Sequence, residues 1–170
     1  DVVELLLTRV DRLGSGSERA RIYAEVGRIY EGELADKDNA FVAAVQAWCE
    51  DPRDDAHPSE VERLAGASEE KWDEALGQGA HRVQSEGISP EDKLALLVQM
   101  GRWFTTRMTR LDLALSSFQA AIAMEPAHEA ALDGMCEVYR RAQQWPELAV
   151  VLLRRADAAA QVAPAVAVAE

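Results

Sequence analysis

Three histidines, two cysteines and one Gly/Ser-rich loop are the residue groups that could carry chemistry in this chain of 170 residues. His57, His81 and His128 lie far apart in sequence, and neither an HExxH pattern nor a CxxC pair is present. Their spacing therefore does not indicate a zinc site, and positions near helix starts or on polar faces explain all three. Cys49 and Cys136 fall within helical patterns, where we expect them to be buried small side chains.

Two short segments only partly resemble ion-binding loops. Residues 36–39 begin like a calcium loop, but Phe41 stands where the sixth position needs glycine, and Ala47 stands where the twelfth needs glutamate. We interpret this segment as a helix cap. The loop at residues 14–17 lacks the lysine of a P-loop and follows no predicted strand. With no G-x-S-x-G elbow and no convergent carboxylate pair, the sequence predicts no catalysis, metal or cofactor.

The charge of the chain is negative and unevenly distributed. Lysine and arginine number 18 against 30 aspartates and glutamates, which gives a net charge of -12. Residues 36–92 carry 5 basic and 15 acidic side chains, and so hold most of the excess. Generic nucleic-acid binding is not expected, since it requires clustered positive charge. The acidic segment is either a solvated face or a docking surface for a basic partner.

The composition is that of a soluble folded protein, with 48% hydrophobic and 28% charged residues. No apolar run approaches the roughly 20 residues that a membrane-spanning helix needs, so membrane insertion is not expected. The sequence shows no signal peptide or lipidation motif, which favours a cytoplasmic location. Its 15 arginines against 3 lysines, together with abundant alanine, are typical of a GC-rich bacterium.

Apolar residues recur at spacings of three and four along nearly the whole chain, which predicts an all-α fold. Ser17 precedes one predicted helix, Asp36 or Asp38 caps the next, and Ser89 precedes a proline and two acids at the start of another. The predicted helices cover residues 2–13, 18–33, 38–50, 58–67, 70–84, 91–106, 110–124, 128–142 and 146–160.

An internal repeat organises these helices. A shift of 74 residues places Gly27 on Gly101, Ala44 on Phe118 and Pro52 on Pro126. Each block of this length contains four helical patterns, so one helix pair occupies about 37 residues. Because a single pair cannot bury its apolar face alone, we expect successive pairs to stack.

The repeated pattern resembles that of the tetratricopeptide repeat (TPR) family. The first copy is Tyr23, Val26, Gly27, Tyr30, Ala40, Ala44, Ala47 and Pro52, and the second is Leu97, Met100, Gly101, Phe104, Ala114, Phe118, Ala121 and Pro126. A looser third copy begins at Leu132. The resemblance implies a right-handed superhelical solenoid of stacked antiparallel helix pairs. Its units would be 1–13 (partial), 18–52, 58–84, 91–126, 128–160 and 161–170 (partial).

In this family, the first helix of each pair lines a concave groove that often holds a peptide. The corresponding candidates here are Arg21, Arg28, Val98, Arg102, Thr105, Glu137 and Arg140. Arg28 and Arg102 occupy equivalent positions, where a guanidinium either binds an acidic group of a ligand or forms a salt bridge to a neighbouring helix. Trp103 is the candidate for an exposed anchor, whereas Trp72 and Trp145 are expected to serve packing.

These features predict a non-catalytic scaffold that binds a protein or peptide segment in its groove. Two alternatives remain open, a regulatory or substrate-recruiting arm of a larger enzyme and a structural spacer. Both ends of the sequence look like parts of further helix pairs. We therefore expect a fragment of a longer array, whose exposed terminal helices could also mediate end-to-end self-association.

Overall fold

The computed structural model describes the backbone of residues 2–166 and the side chains of residues 2–160. Within that part of the chain there are nine α-helices and no β-strand, which confirms the all-α prediction. The helices are α1 (Val2–Val10), α2 (Gly16–Gly32), α3 (Lys37–Glu50), α4 (Ala56–Ala65), α5 (Glu69–Gln84), α6 (Pro90–Thr106), α7 (Leu111–Met124), α8 (Glu129–Arg141) and α9 (Trp145–Val166).

The helix bounds agree with the sequence prediction to within two residues for α2 to α8. Helix α1 ends three residues early, because the backbone N–H groups of Arg12 and Leu13 bond to carbonyls three residues back and tighten the last turn. Helix α9 continues to Val166 instead of ending at residue 160, as its alanine-rich sequence favours. The predicted partial unit 161–170 therefore starts inside α9, and its residues 167–170 lie outside the described residues.

Side-chain caps begin several helices where the sequence predicted them. Oδ1 of Asp36 accepts a hydrogen bond from the backbone N–H of Asn39 at 3.0 Å, so residues 36–39 are a helix cap as expected. The bonds from Asn39 lower the pKa of the Asp36 carboxyl. The hydroxyl of Ser89 accepts from the backbone N–H of Asp92 at 3.0 Å in the first turn of α6, which confirms that cap too.

The start of α2 depends on a glycine. The prediction that Ser17 precedes this helix is wrong, since α2 begins at Gly16 with Ser15 at the N-cap. A Cβ atom on Gly16 would lie well under 3.0 Å from the carbonyl oxygen of Glu50, a contact that only glycine avoids. Arg19 strengthens the same junction through an ion pair of 2.7 Å between its Nη2 and Oε2 of Glu50.

The chain forms two compact units, with the boundary between Leu96 and Leu97 inside α6. We call the N-terminal part unit 1 and the C-terminal part unit 2. In unit 1, α2 packs along α3, which also contacts α4 and α5, while α1 packs on α2. The aromatic side chains of Phe41, Trp48 and Trp72 are almost completely buried. In unit 2, α8 packs against both α7 and α9.

The packing in unit 2 is tightest around Phe118 of α7. Its ring lies so close to Gly101 of α6 and Gly134 of α8 that a Cβ atom at either glycine would be less than 3.0 Å from ring carbons. Real side chains do not tolerate such a distance, so the two glycines are required for the ring to fit. Phe118 itself is fully buried.

We predict that Gly134→Ala lowers the free energy of unfolding by about 1–3 kcal/mol, because the added methyl group overpacks the Phe118 ring. The matched control is Gly77→Ala in α5, where nothing lies within 4 Å of the added Cβ. That control should gain up to about 1 kcal/mol from helix propensity alone. Urea unfolding followed by circular dichroism measures both changes, and equal effects at the two positions would contradict the described packing.

Candidate functional site

A cavity of about 300 Å³ lies between α2, α3 and α4 in unit 1, and we call it the α2–α4 cavity. This volume is within the range of small-ligand and side-chain pockets. Each helix contributes three lining residues, and six of the nine are alanine or glycine. The lining residues are Ala24, Gly27 and Arg28 from α2, Ala40, Ala44 and Ala47 from α3, and Ala56, His57 and Glu60 from α4.

Helical spacing explains why the lining is so small. Ala40, Ala44 and Ala47 follow one another at intervals of four and three, so they share one face of α3, and all three are buried. Gly27 faces the same helix, since a Cβ there would meet the carbonyl oxygen of Ala40 at 3.5 Å. The result is an apolar floor made of methyl groups and backbone.

Arg63 of α4 bridges the carboxylates of Glu31 and Glu60, the second of which lines the cavity. Its Nη1 donates to Oε1 of Glu31 on α2 at 2.9 Å, and its Nε donates to Oε2 of Glu60 at 2.8 Å. The hydrogen bonds from Arg63 lower the pKa of Glu31. Both acids therefore already have a cationic partner.

Arg28 is the cation at the rim of the α2–α4 cavity. Its Nε donates to the carbonyl oxygen of Ala24 at 3.3 Å, and no carboxylate among the described residues of unit 1 forms an ion pair with it. A guanidinium carries five N–H donors, so most of them remain available to a ligand. The salt bridge to a neighbouring helix, one of the two roles expected for Arg28, is not formed in this part of the structure.

Of the other predicted groove residues on α2 and α6, the two arginines are exposed and the remaining two residues are buried. Arg21 is exposed on α2, and Arg102 is exposed on α6 without a carboxylate partner in the described part of unit 2. Val98 and Thr105 are buried, which leaves little of their surface for a ligand. The hydroxyl of Thr105 donates to the carbonyl oxygen of Gly101 at 2.8 Å.

Glu137 and Arg140, the predicted groove residues of α8, belong to a surface ion-pair cluster. Nη1 of Arg140 lies 2.9 Å from one oxygen of Glu137, and Nε of Arg141 lies 2.7 Å from the other. The pKa of Glu137 is lowered, chiefly by the hydrogen bond from Arg141. Arg141 also donates through Nη1 to the carbonyl oxygen of Thr105 at 2.9 Å, so this cluster joins α8 to α6 within unit 2.

Two of the tryptophan predictions are wrong. Trp103 is only 1% exposed and is no surface anchor, whereas Trp145, expected to serve packing, is 58% exposed. Trp72 is buried as predicted, and its indole N–H donates to the carbonyl oxygen of Gly66 at 3.1 Å. The spacing of apolar residues identified the helices, but it did not decide which side of α6 and α9 is covered.

Exposed apolar side chains lie on the first and last helices. They include Val2 and Leu5 on α1, and Trp145, Val150 and Leu153 on α9. Exposed apolar surface of this kind occurs at interaction sites, and the expected end-to-end self-association stays a prediction.

The histidine and cysteine side chains that could carry chemistry include one helix cap and two buried thiols. Nδ1 of His128 accepts from the backbone N–H of Ala131 at 3.3 Å and caps α8 as expected. Cys49 and Cys136 are both buried, as predicted, and burial raises the pKa of Cys49 to about 12. In the part of the chain that the structure describes, no group of His, Cys, Asp or Glu side chains is placed to hold a metal ion.

Sequence reasoning missed the contribution of α4 to the cavity. Ala56, His57 and Glu60 line it, although His57 was interpreted only as a residue of a helix end. The repeat contained the signal, because the shift of 74 places Ala56 and Glu60 of α4 on residues 130 and 134 of α8, the helix that carries the predicted groove residues Glu137 and Arg140.

No protein-family model matches this chain, and no curated protein matches it either. The resemblance to tetratricopeptide repeats therefore depends on the residues of the sequence alone. None of the described helices is both long enough and apolar enough to cross a membrane.

We predict that Arg63→Gln raises the pKa of Glu31 towards its ordinary value, because the Arg63 donors that stabilise the carboxylate are lost. A lowered pKa in the folded state stabilises the fold above the unfolded pKa of glutamate, and that contribution disappears as the pH falls. Carbon-13 NMR of the glutamate carboxyl groups during an acid titration measures the shift.

The control for this titration is Arg53→Gln. Arg53 forms an ion pair of 2.8 Å with Asp92 and has no contact with Glu31, so this variant should leave the Glu31 titration unchanged. An unaltered Glu31 pKa in Arg63→Gln would show that the bridge across α2 and α4 does not form in solution.

Proposed function

We propose that this chain is a non-catalytic scaffold that binds a segment of a partner protein in a groove containing the α2–α4 cavity. In this proposal the helices form TPR-like antiparallel pairs stacked into a right-handed solenoid. The repeat of 74 residues and the packing of sequential helices within each unit support it. Binding then depends on a largely preformed surface, which limits the entropy lost on association.

The observation that carries the proposal is the combination of an apolar floor with a cation that has no carboxylate partner. Alanine and glycine side chains leave room for a side chain of the ligand above α3. Arg28 at the rim supplies N–H donors for a carbonyl or carboxylate oxygen of the ligand. Small apolar pockets with a few placed polar groups are typical of ligand-binding sites.

The charges around the cavity favour a protein partner. Glu60 is occupied by Arg63, and the nine lining residues offer the guanidinium of Arg28 and the imidazole of His57 but no Ser, Thr, Cys or Lys nucleophile. Residues 36–92 carry a strong excess of acidic side chains, which would repel the phosphate backbone of a nucleic acid and attract a basic protein surface.

We predict that Arg28→Glu combined with Arg102→Glu weakens peptide binding by at least about tenfold. Loss of a hydrogen bond to a charged group costs roughly 1.5–3 kcal/mol. Peptides selected from a random display library on the immobilised wild-type chain provide the ligands, and isothermal titration calorimetry provides the affinities.

The matched control is Arg9→Glu combined with Arg154→Glu. It makes the same change of charge, with one exposed arginine in each unit, and it should bind the selected peptides like the wild type. The midpoint temperature of thermal unfolding of both double variants should stay close to that of the wild type, as is usual for surface substitutions. A library that yields no ligand would favour the spacer, and equal affinities for the two variants would move the site away from the arginines.

A further inference from the structure

At one equivalent position, unit 1 has a small side chain and unit 2 has an aromatic one. The shift of 74 residues that relates Gly27 to Gly101 also relates Ala44 of α3 to Phe118 of α7. The neighbours of the two side chains are conserved in size, since alanines stand at both 40 and 114 and at both 47 and 121. Unit 2 therefore shows how the corresponding helices pack when this residue is aromatic.

In unit 2, the ring of Phe118 fills the space between α6, α7 and α8. It is buried and lies against Gly101 and Gly134. Position 134 corresponds by the shift of 74 to Glu60, and position 101 corresponds to Gly27. Glu60 and Gly27 both line the α2–α4 cavity, so the cavity lies beside the place in unit 1 that corresponds to the phenyl ring, and the Cβ atom of Glu60 takes up part of that place.

The volume of the cavity is sufficient for such a ring. It measures about 300 Å³, whereas an apolar cavity of about 150 Å³ already accepts benzene. Phe118 is thus an internal example of the group that this framework accommodates when the facing position of the third helix is glycine. The α2–α4 cavity is a phenyl-sized slot that the chain leaves unfilled.

The geometry points to the aromatic side chain of a positively charged segment of a partner protein as the occupant of the α2–α4 cavity. This inference rests on the proposed function and specifies the ligand chemistry of its site. The aromatic ring would lie beside Gly27 and Ala44, with basic residues on either side of it in the partner's sequence.

Charge complementarity selects the flanking residues. Asp54 and Asp55 are exposed and directly precede the lining residues Ala56 and His57. Glu31 and Glu60 are paired with Arg63, and Oδ1 of Asp54 accepts the backbone N–H of Ala56 at 3.0 Å, so Asp55 and the second carboxylate oxygen of Asp54 are the acidic groups on the α4 side that face a cationic ligand. On the α2 side, Arg28 donates to the backbone carbonyl oxygens that every peptide carries.

The side chain of Glu60 limits which substitution at position 44 can fill the α2–α4 cavity. Phe118 fits its own site because Gly134 lacks a Cβ atom, whereas Glu60 has one at the corresponding position. A phenylalanine at position 44 would therefore meet Glu60, and Ala44→Leu is the better choice to fill the cavity. Ala120→Leu on the exposed side of α7 is the matched control for the added apolar volume.

The experiment compares three blocked tripeptides, Arg-Phe-Arg, Arg-Ala-Arg and Glu-Phe-Glu, by NMR titration of the isotope-labelled chain. Arg-Phe-Arg should shift the amide signals of Gly27, Ala40 and Ala44. It should bind at least about tenfold more tightly than Arg-Ala-Arg, because the phenyl ring is removed from water. It should also bind more tightly than Glu-Phe-Glu at low salt, with a difference that shrinks as salt rises.

In Ala44→Leu, the advantage of Arg-Phe-Arg over Arg-Ala-Arg should disappear, while Ala120→Leu should retain it. Thermal unfolding of Ala44→Leu verifies that the variant is folded, and Ala44→Val repeats the test with a smaller group. Equal affinity for the phenylalanine and alanine peptides in the wild type would overturn the aromatic slot. Tighter binding of Glu-Phe-Glu would overturn the basic character of the partner.

This result is separable from the proposed function. Library peptides that depend on Arg28 but show no enrichment of aromatic residues would keep the scaffold and overturn the slot. If the library yields no binder and none of the tripeptides binds, both the proposed scaffold function and the aromatic slot are contradicted.

Discussion

Each unit contains helix contacts at which the buried side chains are no larger than alanine, and at these contacts the size limit decides whether a larger group can pack. Ala20 and Ala40 in unit 1, like Ala114 and Ala131 in unit 2, have no exposed surface. Where two helix backbones lie this close, a larger side chain fits only if the residue opposite it is glycine, which has no Cβ atom. Gly101 and Gly134 leave this room for Phe118, whereas Ala44 remains small and leaves volume open. The same constraint thus produces a filled core in one unit and a cavity in the other.

Electrostatics decide which groups beside that cavity are available. Exposed ion pairs contribute little to stability, so the bridge from Arg63 to Glu31 and Glu60 matters mainly for the charges it removes. With those two carboxylates occupied, Arg28 faces the cavity without an acid of its own. Arg63 on α4 thus pairs with both acids, and Arg28 on α2 forms no ion pair with either of them in the described structure.

Local patterns were enough to predict the helices and several of their caps. Apolar spacing and the residues Asp36 and Ser89 act within a few positions of themselves, and the structure places them as expected. The side of a helix that is buried depends on distant residues, which is why Trp103 and Trp145 were assigned wrongly. The cavity needed still more information. It arises from small residues on two helices and from the packing of α4 beside them, which no local pattern of the sequence specifies.

The alternative between alanine and phenylalanine at one position of the repeat has an evolutionary consequence. Replacing a buried phenylalanine by alanine typically costs about 3–5 kcal/mol, so a unit that keeps alanine gives up stability that its neighbour retains. A repeat protein tolerates this loss in one unit because other units hold the fold together. In the proposed scaffold, a duplicated unit would change from structural element to receptor by replacement of a single residue, and the number of receptors along an array would be adjustable without altering its backbone.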